Sequence, residues 1–419
     1  MASKIPETAC SAPWMHFALG SHPDGKIITP CCRFSSKGNK YKFQNPSLAT
    51  SRNGYFEDIR KKMLSGQRII QCEKCWVQEK NKRFSMRHQM LRKMSLQEIA
   101  QQEEKEQPFE LRYIELMFTN LCNLSCRMCD ITQSSQWANL YNNAFVPNNI
   151  KDEFVMSEQF LDEDGKAHTQ PIPFDWKLME NIDLSNLTTV KILGGEPMMS
   201  PEHLEFLTKL MEKSKDPSQI ELIYHTNGTK RPSQKVVDYW RQMKKIEIVF
   251  SIDGYGPVNE YQRIGSKWDV IEENIKWYAD LGIDFDFRLH TVLSVLTIWQ
   301  FEKLCDWAEN NFKKTINLSK NIPGLFYPDH KVITVDFVQR PTYLDLRIMP
   351  EELKQECAEL IKTSKHLDED TMNSILAYFG NTQYNNTYWK DFWQRMIAID
   401  KYTNLDLQAV APQLLEYKI

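Results

Sequence analysis

The sequence has no apolar run long enough to cross a membrane, and its opening residues, Met1-Ala2-Ser3-Lys4-Ile5-Pro6, lack the apolar core of a secretory signal. It has no internal repeat and no low-complexity tract, which sets repeat architectures aside. Net charge is only −3 over 419 residues, so no whole-chain attraction to nucleic acid or to a membrane surface is expected. Without an export signal, a reducing cytoplasmic setting is expected. The ten cysteines then read as metal ligands rather than disulfides.

The cysteines are clustered. Eight of the ten lie in the first 129 residues: Cys10, Cys31, Cys32, Cys72, Cys75, Cys122, Cys126 and Cys129. The most informative run is Cys122-Asn123-Leu124-Ser125-Cys126-Arg127-Met128-Cys129. Three thiolates at this spacing can bind three irons of a cubane and leave the fourth open to a substrate, whereas full cysteine ligation suits electron transfer. The run follows an apolar stretch, residues 111–118, that reads as a buried strand. The thiolates would therefore sit in a loop at a strand's C-terminal end, where barrel enzymes keep their chemistry.

This spacing resembles the signature of the radical S-adenosylmethionine (SAM) superfamily, and the resemblance covers roughly residues 111–365. It implies an open iron that chelates SAM, one-electron cleavage to a 5′-deoxyadenosyl radical, and hydrogen abstraction from a substrate. One departure is visible. The residue before the third cysteine is usually aromatic in the family, and here it is Met128, which can fill the same apolar space less rigidly.

After the cysteine run, strand and helix patterns alternate, the mark of a parallel sheet wrapped by helices. Strands are expected at 111–118, 189–194, 220–226, 246–252, 284–293 and 332–339. Helices are expected at 201–214, 233–243, 268–281, 298–312 and 350–363. The fold class is thus α/β, and the resemblance implies a partial (β/α)6 barrel. Four units are expected: a loop-rich cysteine module over 1–95, a charged connector over 96–110, the barrel over 111–365, and a C-terminal helical extension over 366–419. The long first crossover, with Asn148-Asn149, Asp162-Glu163-Asp164-Gly165 and Pro171-Ile172-Pro173, suggests a loop-rich insertion. In the extension, Trp389, Phe392, Trp393, Met396 and Ile397 have the spacing of an amphipathic helix capping the barrel. Cys305 and Cys357 fall in expected helices and read as core filler.

The second strand ends Gly194-Gly195-Glu196-Pro197. Paired glycines allow close backbone approach, and Glu196 offers a carboxylate at a strand tip. The next strands end His225-Thr226-Asn227-Gly228 and Ser251-Ile252-Asp253-Gly254, short polar side chains followed by turn glycines. The resemblance implies that Gly194, Gly195 and Glu196 bind SAM, with Glu196 on the methionine amino group. It places Ser251, Asp253 and the lesser candidate Asn227 around the ribose and carboxylate, and Arg263 at the carboxylate. Glu115, Arg288 and His290 are substrate-contact candidates whose facing depends on strand register.

In the front unit, Cys10, Cys31 or Cys32, Cys72 and Cys75 offer four ligand points, with the last two in Cys72-Glu73-Lys74-Cys75. Ligand count alone leaves tetrahedral zinc and a fully ligated 4Fe–4S cluster both open. The order Cys10, Pro13-Trp14, Cys31-Cys32, Cys-x-x-Cys resembles the twitch auxiliary-cluster module, a relative of the SPASM domain, which implies a second 4Fe–4S cluster. Residues 60–93 carry eleven Lys or Arg and two acids. That block can attract phosphate or an acidic partner, or can simply be a solvated helix beside an anionic cluster.

The expected function is a radical SAM enzyme with two 4Fe–4S clusters. SAM is its small-molecule partner, and an electron donor such as flavodoxin or ferredoxin serves it. The resemblance weakly favours a peptide or protein side chain as substrate. No winged-helix leader module and no cobalamin-binding domain is visible. A nucleotide, sugar or other small metabolite is the second substrate class. A non-catalytic zinc or iron–sulfur protein that recruits an acidic partner is the rival from outside enzymology.

Overall fold

The computed structural model describes residues 5–22, 25–35, 45–51, 54–80, 84–152, 160–168, 170–317, 325–326, 331–379 and 386–418. Its centre is an eight-stranded sheet in the order β10-β9-β7-β6-β5-β3-β1-β2. The strands are β1 (His16–His22), β2 (Gly25–Thr29), β3 (Tyr113–Leu116), β5 (Thr189–Ile192), β6 (Glu221–Thr226), β7 (Lys245–Ser251), β9 (Phe285–Leu293) and β10 (Ile333–Phe337). A two-stranded ribbon, β4 (Ser125–Cys126) and β8 (Arg263–Ile264), lies outside it. Within the eight-stranded sheet every pairing from β1 across to β10 is parallel and β2 runs against β1; the β4–β8 ribbon is antiparallel. The architecture is α/β and is consistent with an open, partial barrel.

All six expected strands form, with ends within two residues of those expected. The expected helices form at Pro201–Lys213, Gln234–Trp240, Trp268–Ala279 and Glu351–Lys362, and as a 3-10, α and π succession over 298–312. The strands alternate between two environments. Ile192, Leu222, Tyr224, Ile248, Phe250 and Leu289 are buried beneath the crossover helices, where Tyr224 meets Trp240 and Phe250 meets Tyr278. The opposite face is polar, which suits a site interior better than a core.

The front of the chain departs from the expected loop-rich unit. Trp14 to Leu19 is apolar enough to be buried on both sides, and β1 adds to the barrel sheet, pairing Ala18 with Glu115. Helices Tyr55–Leu64, Glu73–Lys80 and Met86–Lys93 follow. The expected connector is largely a helix, Leu96–Glu104. Its start is a capping box in which Ser95 and Glu98 satisfy each other's backbone N–H, a signal hidden among glutamines and glutamates.

In the C-terminal extension, helix Asn386–Thr403 buries Trp389, Phe392, Trp393 and Met396 as expected. Ile397 does not join them: it is 49% exposed, and Ile399 takes the inward place. Cys305 and Cys357 are fully buried in helices. The extension also makes a contact that the apolar pattern does not announce. Arg127, inside the cysteine run and fully buried, reaches Asp400 Oδ1 at 2.6 Å, the Tyr261 carbonyl at 2.8 Å and the Tyr261 ring face at 3.8 Å. Tyr261 in turn donates to Asp400 Oδ2 at 2.9 Å. Asp400→Ala would leave the Arg127 guanidinium buried without its counter-charge, so we expect a loss of about 3 kcal/mol in chemical unfolding. Arg127→Met/Asp400→Leu, which removes both charges, should lose much less. Equal losses would show that the pairing itself contributes nothing.

Candidate active site

The cysteine run leaves β3, and its geometry is set by backbone contacts with the Gly194-Gly195-Glu196 turn. Glu196 N–H donates to the Leu121 carbonyl at 2.7 Å and Gly195 N–H to the Gln133 carbonyl at 3.1 Å. Gly194 and Gly195 both have positive φ, at 80° and 57°. A Cβ on Gly195 would lie 2.4 Å from the Leu121 carbonyl oxygen, and one on Gly194 would meet Met117 Cγ at 2.1 Å. The close approach that these glycines permit is therefore to the cysteine loop itself.

Glu196 is almost wholly buried at 1% exposure. Its carboxylate accepts from Thr226 Oγ1 at 2.8 Å, Asn227 N–H at 2.8 Å and Met198 N–H at 3.2 Å. Burial pushes its pKa up, and the three donors pull the other way. A carboxylate has about four acceptor positions, so one remains for a ligand. Asn227 bridges this turn to the cysteines: its Nδ2 lies 3.7 Å from Cys122 Sγ and 3.2 Å from Asn123 Oδ1, while its Oδ1 accepts from Thr229.

On the other side, the β4–β8 ribbon pairs Cys126 with Arg263. Arg263 Nη1 approaches Cys126 Sγ at 3.9 Å, and its Nε lies 2.8 Å from Asp253 Oδ2, an ion contact without hydrogen-bond alignment. Asp253 is fully buried, and its Oδ1 accepts from Val292 N–H at 2.9 Å, tying it to β9. Burial works against the charged form of Arg263, and the Asp253 carboxylate beside it more than compensates. Ser251 ends β7 opposite His290 on the polar face.

Burial pushes the Cys122 thiol up to about 12, with Cys126 and Glu196 adding to the effect, and raises Cys126 and Cys129 as well. Yet N–H donors aim at two of the sulfurs: Leu124 and Asn227 at Cys122, and Arg263 at Cys126. Buried sulfurs with donors pointed at them suit thiolates neutralised by bound metal, so the residues fit an iron–sulfur cluster. Among the described residues no three His, Cys, Asp or Glu side chains converge closely enough to hold a single metal ion.

Strand register settles the face of the substrate-contact candidates. Glu115, Lys191, His225, Glu247, Arg288, His290 and Asp336 all occupy the polar face. Lys191 Nζ lies 3.8 Å and His16 Nε2 3.4 Å from Glu115; Arg288 lies 3.7 Å from Glu247; His290 lies 3.9 Å from Asp336. Burial disfavours ionised Glu115, but Lys191 and His16 win and bring its pKa down to about 2. Reading the strands singly picked out three of these residues. Lys191, Glu247 and Asp336 emerge only from the pairing across strands.

The front cysteines form a second group. Ser35 N–H donates to the Gln71 carbonyl, which brings the 31–35 segment to Cys72. Arg87 donates to the Glu7 and Ala9 carbonyls, which brings Cys10 to the same helices. Burial, with Cys72 and Cys75 nearby, pushes Cys10 up to about 12. Burial also raises Cys31, which lies close to Cys10 and Cys72. Cys32, an exposed residue, turns away toward Glu115 and Lys191, and the surrounding protein together with the Glu115 charge raises its pKa. Of the adjacent pair, Cys31 is grouped with the other three.

Residues 116–308 match the family model described as Radical SAM superfamily, and the matched segment carries the three-cysteine run, the Gly-Gly-Glu-Pro turn and Arg263. No curated protein sequence matches the chain significantly. Among solved structures, anSMEcpe with bound AdoMet and Cp18Cys peptide is 16% identical, covering 65% of this chain and 62% of that one, at a TM-score of 0.36. SuiB of Streptococcus suis bound to S-adenosylmethionine is 14% identical, covering 67% of this chain and 50% of that one, at a TM-score of 0.32. The chain thus spans less than two thirds of the length of either.

The glycine geometry carries a test. Gly195→Ala meets both a positive φ and the Leu121 carbonyl, whereas Gly165 has φ 75° and nothing within 4 Å of its Cβ position. Gly165→Ala should lose about 1–2 kcal/mol from backbone strain alone. Gly195→Ala should lose about 1–3 kcal/mol more, from overpacking against the cysteine loop. Urea titrations that gave the two variants the same stability would remove the steric argument.

Proposed function

We propose that the protein is a radical SAM enzyme acting through two iron–sulfur clusters. In this reading Cys122, Cys126 and Cys129 hold the catalytic cluster. The cluster and SAM, when bound, supply a 5′-deoxyadenosyl radical that takes a hydrogen atom from the substrate. The observation that carries the reading is the convergence of donors on buried cysteine sulfurs, with Glu196 and Arg263 flanking them.

The roles of the chain's own residues follow from their surroundings. Glu196, with one acceptor position left, receives the ammonium of SAM. Arg263, held in place by Asp253, faces the carboxylate. Asn227 and Ser251 supply hydrogen bonds at the strand tips, and Asp253 acts by holding Arg263 and the end of β9. Gly194 and Gly195 seat the turn against the cysteine loop. The barrel unit over 111–365 houses this chemistry. The substrate lies on the polar face among Glu115, Lys191, Glu247, Arg288 and His290, whose polar and charged groups suit the amide and charged groups of a peptide or protein side chain.

Cys10, Cys31, Cys72 and Cys75 hold the auxiliary cluster within the unit 1–95. A single zinc would need four thiolates about 2.3 Å from one point, hence under about 4 Å apart. A cubane instead spreads its ligands over separate irons, and the order Cys10, Cys31-Cys32, Cys72-x-x-Cys75, with its resemblance to the twitch module, supports it. Held there, a cluster would supply an acceptor for the electron left after hydrogen abstraction and a relay to a carrier protein in the cytoplasm.

Anaerobic reconstitution tests the whole scheme. Wild type should bind about eight irons, two cubanes' worth, and release 5′-deoxyadenosine from SAM under dithionite. The variant lacking Cys122, Cys126 and Cys129 should keep about four irons and release none. Glu196→Ala should bind SAM about ten- to a hundredfold more weakly, since a charge-assisted hydrogen bond contributes roughly 1.5–3 kcal/mol. Deoxyadenosine formation by the triple variant would overturn the catalytic assignment, and stoichiometric zinc in it would overturn the auxiliary one.

A further inference from the structure

Four cysteines of the front unit are not equally covered. Cys10, Cys31 and Cys75 are buried, whereas Cys72 is only half-buried. Cys72 closes a 3-10 turn, Ile70–Cys72, that leads straight into helix Glu73–Lys80. That helix buries Cys75 and turns its opposite side outward. Ile70, Lys74 and Val77 recur at intervals of four and three residues, the spacing of one helical face. Ile70 is 74% exposed and Val77 52% exposed. These are two large apolar side chains left in water on one face, beside the least covered cysteine of the group.

The charge around them has one dominant sign. Arg60, Arg87 and Lys93 are tied inward, to the Pro13 carbonyl, to Glu79, and to Thr189 with Glu221. Lys61, Lys62, Arg68, Lys74 and Lys80 remain exposed. Arg68 is held in place by stacking on Trp76, with its guanidinium 4.9 Å from the ring centroid. Glu73 is the acid on the exposed side of the helix; Glu79 is committed to Arg87 at 2.7 Å. The result is an apolar pair rimmed by fixed and mobile cations.

We infer that the face formed by Ile70, Lys74, Val77 and Lys80 is the docking surface of an acidic one-electron carrier protein, with Cys72 as the port. The inference rests on the reading of Cys10, Cys31, Cys72 and Cys75 as a cluster site. A small apolar centre with a basic rim fits the acidic, partly apolar rim that surrounds the redox group of a flavodoxin-type carrier, and such encounters are steered by charge. One electron crosses: the reduced auxiliary cluster loses it, and the oxidised flavin gains it together with one proton from water. Nothing else is consumed. The path leaves the catalytic cluster untouched, so the carrier need not approach SAM.

The variant lacking Cys122, Cys126 and Cys129 isolates this step in the full-length chain. It is reconstituted, reduced with dithionite, desalted, and mixed in a stopped-flow cell with oxidised recombinant flavodoxin, with flavin absorbance as the readout. Adding Val77→Glu and Lys80→Glu should slow flavin reduction about tenfold or more at low ionic strength. Raising salt to about 0.5 M should narrow the gap, because screening removes the steering. Lys61→Glu/Lys62→Glu, on another helix, should have a smaller effect.

Failure of the triple variant to retain iron would defeat the cluster reading itself, before any carrier is added. Iron retained, with flavin reduction equally fast in Val77→Glu/Lys80→Glu, would overturn the docking surface alone. A concentration-dependent dimer that the same substitutions abolish would assign the face to a second copy of the chain instead. Substitution here should leave dithionite-driven deoxyadenosine release unchanged in the otherwise wild-type protein, since dithionite bypasses the surface.

Discussion

The seam between the Gly194–Glu196 turn and the cysteine loop is the constraint on which the rest of the site depends. Two backbone hydrogen bonds and a steric limit that only glycine meets bring the tip of β5 against the segment leaving β3. Once that seam closes, Glu196 can reach only the tip of β6, where Thr226 and Asn227 receive it, and Asn227 then lies beside Cys122. The site is thus assembled by main chain first, with side chains falling into positions that the strand order has already chosen.

A second, independent tether acts from the opposite direction. Asp253 fixes Arg263, and the β4–β8 ribbon fixes Arg263 against Cys126. The cysteine run is therefore clamped at both ends by groups from different strands, which fixes where its sulfurs stand. Burial works against ionising these thiols, so the donors around them matter most when metal charge is present to draw the protons off.

The barrel was legible because its strands are short apolar runs separated by helices of clear period, and each ends in glycine or a small polar residue. The same rule failed at the front. There, β1 is buried on both faces and its partner lies far along the chain, so neither alternation nor a hairpin turn marks it. The polar face was half legible. Glu115, Arg288 and His290 stood out as polar residues in strands, but Lys191, Glu247 and Asp336 acquire meaning only through cross-strand register, which no single strand contains. The choice within Cys31-Cys32 was likewise beyond the sequence. Adjacent residues of an irregular segment point different ways, and only the packing of 31–35 on 69–72 decides which thiol joins the group.

Arg127 and Asp400 stand 273 residues apart in the chain. Their contact gives the cysteine loop a far higher contact order than its local spacing implies, since closing so long a span must precede its reward. Synthesis from the N-terminus therefore delivers the complete three-cysteine run long before the carboxylate that packs behind it. Until helix Asn386–Thr403 docks, the loop has a buried-type arginine with no anion to meet.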